Sequence, residues 1–277
     1  MPLRHFTLVA LVLTAACSSP AEIAEKTGAT ASATASASAS GGETESTAQG
    51  SAFAYSKTLS EAGGGKLEFA YGWPKQAASE PRLAALLKQN LDRDFAETKA
   101  GWEGSYKECP ADGVSCRNYA HESRYEVVAD LPGYLSLSNL FYVYTGGAHG
   151  MSGMESLVWD RQAQKAMAGI DLFRSSAALG SAIGPALCTS LNAARAKKGM
   201  EPVTGDDGVF DACPGVEEAT VLVGSANGTT FDRISVWYGP YVAGSYAEGA
   251  YELDFPMTAA MLDAVKPAYR TAFSAAK

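Results

Sequence analysis

The chain has 277 residues, 47% of them hydrophobic, and a formal net charge of −8 at pH 7. The acidic balance argues against nucleic acid and anionic lipid surfaces as partners, and it would suit a cationic one. The length is sufficient for one good core or for two small subdomains.

The first 17 residues have the three parts of a secretory signal. Arg4 and His5 form a basic start, an apolar run follows at 6–13, and small residues lead up to Cys17. The apolar run is shorter than the roughly 20 residues that a membrane-spanning helix needs. Residues 13–17 resemble the lipobox of bacterial lipoproteins, which makes Cys17 the expected lipidation site. Ordinary signal cleavage nearby is the alternative.

Residues 18–50 are mostly Ala, Ser, Thr, Gly and Glu and include no aromatic residue. Such a composition buries too little apolar surface to offset the entropy of ordering, so we predict a disordered tether. Ser18 directly after the cysteine is typical of outer-membrane sorting in Gram-negative hosts. We therefore expect an exported, membrane-anchored lipoprotein. If the host is Gram-negative, it should lie on the outer membrane and face the periplasm.

Four cysteines follow Cys17, and an even number in an exported chain predicts two disulfides. Three pairings are open; we favour one bridge that closes a short Pro/Asp/Gly loop and one that ties a helix to the loop after it. A zinc site made of all four thiolates is the alternative, but CxxC spacing is absent, so no metal is expected. The favoured pairs are Cys109 with Cys116 and Cys188 with Cys213.

Residues 51–130 are predicted to form a smaller α+β subdomain. Leucines recur at helical spacing from Leu83 to Leu91, with Ser79 as the expected cap and Pro81 in the first turn. The stretch 119–129 alternates between two faces, as in a half-buried antiparallel strand. The other strands of this part are predicted at 52–59 and 66–72.

Residues 131–277 are predicted to form a second α+β domain, in which runs of strands alternate with helices. This order favours an α+β fold with antiparallel sheets, helices packed on one side and two associated subdomains. The elements predicted here are strands at 134–144, 155–159, 219–223, 231–238 and 250–255, a helix at 185–198 and a last helix from Thr258.

Three segments in this order resemble one known family: YTGGAHG at 144–150, a strand–turn–DLF segment at 159–173, and YGPY followed by a strand at 238–256. Together they are similar to the extracytoplasmic domain of the RsiV anti-sigma factor, which also precedes the catalytic domain of PdaC-type peptidoglycan deacetylases. Many members are lipoproteins of unknown function. The similarity extends from about Tyr134 to the C-terminus and is weaker over 53–129.

The resemblance implies a fold and an envelope-binding theme. We expect neither a membrane helix with a sigma-binding segment nor a deacetylase catalytic domain in this chain, so no activity is implied. The ligands consistent with the family are a protein, lysozyme-like and cationic, or a fragment related to peptidoglycan.

His149 follows two glycines, which can adopt backbone angles closed to other residues and so predict a tight turn. One interpretation is a histidine that bonds the turn backbone and holds its geometry; the other is a general base or a ligand contact. Tyrosines are concentrated around the same motifs, and tyrosine is enriched at binding surfaces. The candidate ligand-binding residues are Tyr144, Gly146, Gly147, His149, Tyr238 and Tyr241.

The leading hypothesis is a non-enzymatic binding module that is anchored to the membrane and uses no cofactor. The second hypothesis is an envelope hydrolase that acts on peptidoglycan or glycan through His149 and a nearby carboxylate. A pocket that holds His149, a carboxylate and a hydroxyl together would favour the hydrolase. A shallow surface would favour the binding module.

Overall fold

Two β-sheets organise the computed structural model, which describes residues 43–46, 52–110, 113, 115–203, 205 and 210–277. The predicted signal with Cys17 lies outside the described residues. So does the predicted tether, apart from 43–46, which pair as a strand with the first long strand of the sheet. Within the described part of the chain, no helix is long and apolar enough to cross a membrane.

The larger sheet has seven strands, which lie side by side in the order of the sequence. Every neighbouring pair is antiparallel except β3 with β4, which are parallel. A parallel pair needs a crossover connection, and a long helix supplies it here. The strands are β1 (Glu43–Ser46), β2 (Phe53–Ser60), β3 (Lys66–Trp73), β4 (Asn118–Asp130), β5 (Tyr134–Tyr144), β6 (Met151–Asp160) and β7 (Lys165–Met167).

The short helix α1 (Lys75–Ala78) and the long helix α2 (Pro81–Glu108) connect β3 to β4. Proline fits the first turn of α2 because its missing N–H has no partner to lose there. Ser79 was predicted to cap α2, and this is wrong: the N-cap is Glu80, and Ser79 Oγ donates to the Lys75 carbonyl at the end of α1. The apolar side of α2 covers one face of the large sheet through Leu83, Leu87 and Leu91.

The smaller sheet is antiparallel, in the order β10–β9–β8, and shares its core with three helices. The last helix begins next to Thr258, where its start was predicted, and Thr258 is its N-cap: the hydroxyl accepts from the Met261 N–H. The strands are β8 (Thr220–Gly224), β9 (Arg233–Tyr238) and β10 (Tyr251–Pro256), and the helices are α3 (Ser176–Ile183), α4 (Ala186–Lys197) and α5 (Ala259–Ala264).

The predicted α+β class is confirmed, and so are both disulfide pairings. Cys109 and Cys116 are bonded across a Cα–Cα distance of 5.8 Å, and Cys188 and Cys213 across 5.6 Å. The second bridge ties α4 to the segment before β8, as the sequence suggested.

Candidate functional site

The turn between β5 and β6 has the special backbone that its two glycines predicted. Gly146 has φ +93° and Gly147 has φ +90°, in the region that favours glycine. A Cβ at Gly146 would lie only 3.1 Å from the carbonyl oxygen of Ser115. Gly146 therefore packs closely against the backbone of Ser115 and Cys116, next to the first disulfide. The hydroxyl of Tyr144 donates to the Gly147 carbonyl at 2.9 Å and closes the turn.

His149 projects from this turn with its side chain exposed. Its Nδ1 lies 3.0 Å from the carbonyl oxygen of Gly150, and a carbonyl can only accept, so Nδ1 carries the proton in this contact. Its Nε2 lies 3.4 Å from the hydroxyl of Tyr241, which can then donate to it. The imidazole also stacks on the ring of Tyr246, with centroids 3.8 Å apart and planes 21° apart.

Gly150 joins the turn to two further tyrosines. Its carbonyl accepts a second hydrogen bond, from the hydroxyl of Tyr246 at 2.9 Å. A Cβ at Gly150 would lie 2.3 Å from the ring of Tyr142, so only glycine permits this approach. Five aromatic side chains are thus grouped around this turn, and three of them, His149, Tyr241 and Tyr246, have their rings in mutual contact. We call the group the tyrosine surface; it comprises Tyr142, Tyr144, His149, Tyr241 and Tyr246.

Tyr241 is the most prominent member of the tyrosine surface. Its side chain is 48% exposed, and its backbone has φ +69°, a conformation that side chains other than glycine rarely adopt. Holding a tyrosine there costs on the order of 1 kcal/mol, and such strain is concentrated at functional sites. The surrounding loop must therefore supply contacts that hold it.

A buried ion pair holds the loop that carries Tyr241 and Tyr246. Glu248, on the same loop, lies 3.3 Å from Arg195 of α4, and the two side chains are only 8% and 9% exposed. Arg195 also donates to the Ala243 carbonyl at 2.6 Å. The Glu248 carboxylate also accepts hydrogen bonds from the Ser245 N–H at 2.8 Å and from the Tyr251 hydroxyl at 2.6 Å. The pair therefore has the additional hydrogen bonds that a buried charge requires.

The pKa values of three groups at this ion pair, Glu248, Tyr251 and Lys198, are shifted from their ordinary values. Burial alone would raise the pKa of Glu248, but the hydrogen bonds from Tyr251 and Ser245 and the charge of Arg195 outweigh it, and the pKa lies below its ordinary value. Burial and the bond to this carboxylate raise the pKa of Tyr251 to about 12. Burial lowers the pKa of Lys198, which donates to the carbonyls of Glu248 and Ala250.

The structure brings together five of the six predicted ligand-binding residues: Tyr144, Gly146, Gly147, His149 and Tyr241. Tyr238 is not among them, because it is 0% exposed and its hydroxyl donates to the Pro214 carbonyl. It belongs to the core of the small sheet and cannot touch a ligand in this state.

Sequence reasoning missed the Arg195–Glu248 pair. A signal was present, because Leu187, Leu191 and Arg195 follow each other at intervals of four, which places the arginine on the buried side of α4. An arginine at such a position requires a buried acceptor elsewhere in the chain.

His121, the second histidine of the folded part, lies between β4 and α2. It stacks on Phe69, and its Nδ1 lies 3.4 Å from the hydroxyl of Thr98. Burial lowers its pKa, although the charges of Asp94 and Glu155 partly oppose the shift. His121 is therefore packed in the core under α2, and among the described residues its buried Nε2 has no hydrogen-bond partner.

Among the described residues, His149 contacts the Gly150 carbonyl and the Tyr241 hydroxyl but no carboxylate. None of the ion pairs that the described residues form includes His149. Among those same residues, no cluster of three or more His, Cys, Asp or Glu side chains could hold a metal ion. The arrangement can stack on a flat ligand and offer it phenol and imidazole hydrogen bonds.

Comparison with protein families gives one match, in which residues 64–152 fit the family model described as "Deacetylase PdaC". Over these residues the chain is similar to that family, and we call residues 64–152 the PdaC-like domain. The match includes the turn with Gly146, Gly147 and His149, while Tyr241 and Tyr246 lie beyond it. The sequence had indicated the strongest similarity from Tyr134 onward, whereas the PdaC-like domain begins 70 residues earlier (134 − 64 = 70).

Solved structures of two bacterial proteins are similar to this chain. A member of the DUF3298 family from Bacteroides fragilis shares 16% identity, with a TM-score of 0.47 over 78% of this chain and 91% of that one. A DUF3298 family protein from Pseudomonas aeruginosa PAO1 also shares 16% identity, with a TM-score of 0.46 over 83% of this chain and 96% of that one. Comparison with curated proteins gives no match to the PdaC-like domain or to the rest of the chain.

Proposed function

We propose that this chain is a non-enzymatic binding module of the cell envelope, anchored by a lipid at Cys17, whose ligand contacts the tyrosine surface. The observation that carries the proposal is the aromatic group at an exposed turn, in which His149 stacks on Tyr246 and the exposed ring of Tyr241 lies beside both. Aromatic side chains provide a large contact area at a small cost in conformational entropy, and their polar tips add direction.

The construction of the surface supports a binding function. Tyr241 is held exposed in a strained conformation, and the loop behind it is fixed by a buried ion pair. A preorganised surface loses less entropy when it binds, which raises affinity. Leu140 of β5 is also exposed, at 49%, and lies two residues before Tyr142 on the same face of the strand. Exposed apolar side chains next to aromatic ones are typical of interaction sites.

Two ligand classes fit this surface, and both belong to the cell envelope. Peptidoglycan presents sugar rings, whose C–H faces pack on aromatic rings. A cationic protein would be attracted by the net charge of −8 and could place a guanidinium over a tyrosine. The family model's description, a deacetylase, is compatible with a domain that works near peptidoglycan.

The hydrolase alternative requires His149 to act as a general base, with a carboxylate next to it that orients the imidazole and stabilises its protonated form. His149 has a phenol and a backbone carbonyl as partners, and a surface position that water reaches. This environment favours contact with a ligand over proton abstraction.

Binding is tested by isothermal titration calorimetry of the full chain with chitotetraose, with muropeptides and with lysozyme. Tyr241→Ala should weaken binding about tenfold, since loss of a stacked ring removes on the order of 1.4 kcal/mol. Tyr241→Phe keeps the ring and should retain most of the affinity. Equal affinity of the parent and Tyr241→Ala would refute the proposed surface. Hydrolysis of muropeptides that disappears in His149→Ala would instead establish the enzyme.

Anchoring is tested separately by Cys17→Ala in the native host. The variant should lose labelling with a fatty-acid analogue and leave the membrane fraction. Equal membrane retention of parent and variant, with no acyl mass on either, would refute the anchor.

A further inference from the structure

A row of polar side chains crosses the helix-covered face of the large sheet. Tyr125 of β4, Asn139 of β5 and Glu155 of β6 are direct cross-strand neighbours. The adjacent row is apolar, formed by Val127, Leu137 and Leu157. Polar groups under a helix are costly unless they are bonded, so their partners are informative.

A chain of hydrogen bonds runs from Ser123, in the next row of β4, through Asn139 to the exposed carboxylate of Glu155. Ser123 and Asn139 are each 3% exposed, and the serine hydroxyl donates to the Asn139 side-chain oxygen at 3.1 Å. The amide nitrogen of Asn139 donates to Oε2 of Glu155 at 3.2 Å. Two buried side chains therefore fix the orientation of a carboxylate that is itself exposed.

Glu155 lines a cleft of about 490 Å³ between α2 and β6 that continues toward β8. Its walls are largely apolar and include Leu86 and Leu157, while Asn90 and Tyr125 add polar groups. Concave, mostly apolar sites with a few placed polar groups are typical ligand sites. The ion pairs of the described residues all involve other carboxylates, so none of those residues neutralises Glu155.

We propose that this cleft binds a lysine side chain of a peptide or protein partner. The aliphatic stem would lie against Leu86 and Leu157, and the ammonium would bind the Glu155 carboxylate. A long stem with a charged tip matches an apolar cleft that has a carboxylate in its wall.

The carboxylate favours lysine over arginine. Its Oε2 already uses one of its two acceptor sites for Asn139, so Oε1 is the oxygen that is fully available to the ligand. A guanidinium binds best when both oxygens are available to its fork, whereas an ammonium acts as a point charge. The cleft is larger than one lysine side chain, so residues next to the lysine in a peptide also fit. It shares no lining residue with the tyrosine surface, so the two sites can be tested independently.

The full chain is titrated with the blocked tripeptide Ala-Lys-Ala and with its norleucine analogue, which keeps most of the stem and lacks the charge. The lysine peptide should bind at least tenfold more tightly than the norleucine peptide, and several-fold more tightly than the arginine peptide. Glu155→Gln should reduce the affinity for the lysine peptide about tenfold. Glu126→Gln is the matched control, since Glu126 is an exposed glutamate on the opposite face of the sheet, and it should leave the affinity unchanged.

Four results would overturn the proposal. The first is that the lysine peptide does not bind at millimolar concentration, and the second is that the lysine and norleucine peptides bind equally. The third is that the parent and Glu155→Gln bind the lysine peptide with equal affinity. The fourth is that butylamine binds as tightly as the lysine peptide. The last would assign the cleft to small amines instead of a peptide partner.

Discussion

Arg195 of α4 and Glu248 of the loop before β10 lie 3.3 Å apart with both side chains buried. The pair joins a helix to the loop that presents Tyr241 and Tyr246. Arg195 reaches two carbonyls, those of Glu201 and Ala243, in addition to the carboxylate. The buried guanidinium of Arg195 therefore fixes the loop, because its hydrogen-bond partners in the loop are the Glu248 carboxylate and the Ala243 carbonyl.

Glu248→Gln should destabilise the protein by roughly 2 kcal/mol at pH 7, because it leaves the buried guanidinium without a counter-charge. The effect should depend on pH. The folded-state pKa of Glu248 is lowered, so its stabilisation is complete above the ordinary glutamate pKa and is lost as pH falls through the folded value. Urea unfolding at pH 7 and at pH 3 should give a large difference between parent and variant at pH 7 and a smaller one at pH 3.

The matched control for this measurement is Glu97→Gln, an exposed glutamate on α2. It should change the free energy of unfolding by no more than about 0.5 kcal/mol at either pH. A Glu248→Gln variant that unfolds like the control would contradict the role of the pair.

His149→Ala should lower the free energy of unfolding by about 1 kcal/mol. It removes the stack on Tyr246 and two hydrogen-bond contacts, those with the Gly150 carbonyl and the Tyr241 hydroxyl. The Gly150 carbonyl keeps its bond from the Tyr246 hydroxyl, and the exposed Tyr241 hydroxyl can bond to water, so neither group is left unpaired. His149→Asn should recover part of the loss, since its amide can donate to the same carbonyl. A loss above 3 kcal/mol in thermal or urea unfolding would mean that the turn depends on His149 far more than these contacts imply.

Gly150→Ala should displace Tyr142 and disturb the tyrosine surface, because the new methyl would lie 2.3 Å from that ring. Because the atoms met are the tip of a tyrosine ring that is 36% exposed and can move aside, we expect a loss of only about 0.5–1 kcal/mol. Gly104→Ala on α2 has open space around it and should stabilise the helix by about 0.5–1 kcal/mol. Thermal unfolding of both variants tests the contrast, and equal melting temperatures would disprove it.

The two disulfides should differ in their contribution to stability. Chain-entropy arguments give about 2.5 kcal/mol for the short loop closed by Cys109 and Cys116, and about 3.5 kcal/mol for the longer one closed by Cys188 and Cys213. The bonded cysteines are separated by 7 and 25 residues. Double serine variants of each pair, unfolded in urea, should rank in this order, and the reverse order would show that packing around the bridges dominates.

The local elements were largely predictable from the sequence. Strand β5 begins and ends where its pattern indicated, and the alternation of β4 correctly separated the exposed Glu122, Arg124 and Glu126 from the buried Ser123 and Tyr125. The spacing of apolar residues shows which face of a strand or helix is buried, so these elements could be predicted from the local sequence alone.

Relationships between distant segments were less accessible. Antiparallel pairing of β4 was predicted, but its other neighbour, β3, is parallel to it, and nothing in the local pattern of either strand distinguishes the two cases. Tyr238 was assigned to the surface because it stands beside Tyr241 in the sequence, but the strand turns its side chain inward. Spacing along the chain could not supply the partner of Arg195, 53 residues away (248 − 195 = 53).

The pairing of β4 with β5 has a consequence for how the protein can be divided. The two strands lie on either side of residue 130, where the sequence suggested a boundary between subdomains, and they are joined through ten pairs of residues from Ala120↔Tyr144 to Asp130↔Leu135. A fragment that ends at 130 or begins at 131 would expose a long row of unpaired amides and carbonyls, which invites edge-to-edge aggregation. Truncated versions should therefore keep 53–167 intact and remove residues only from the two ends.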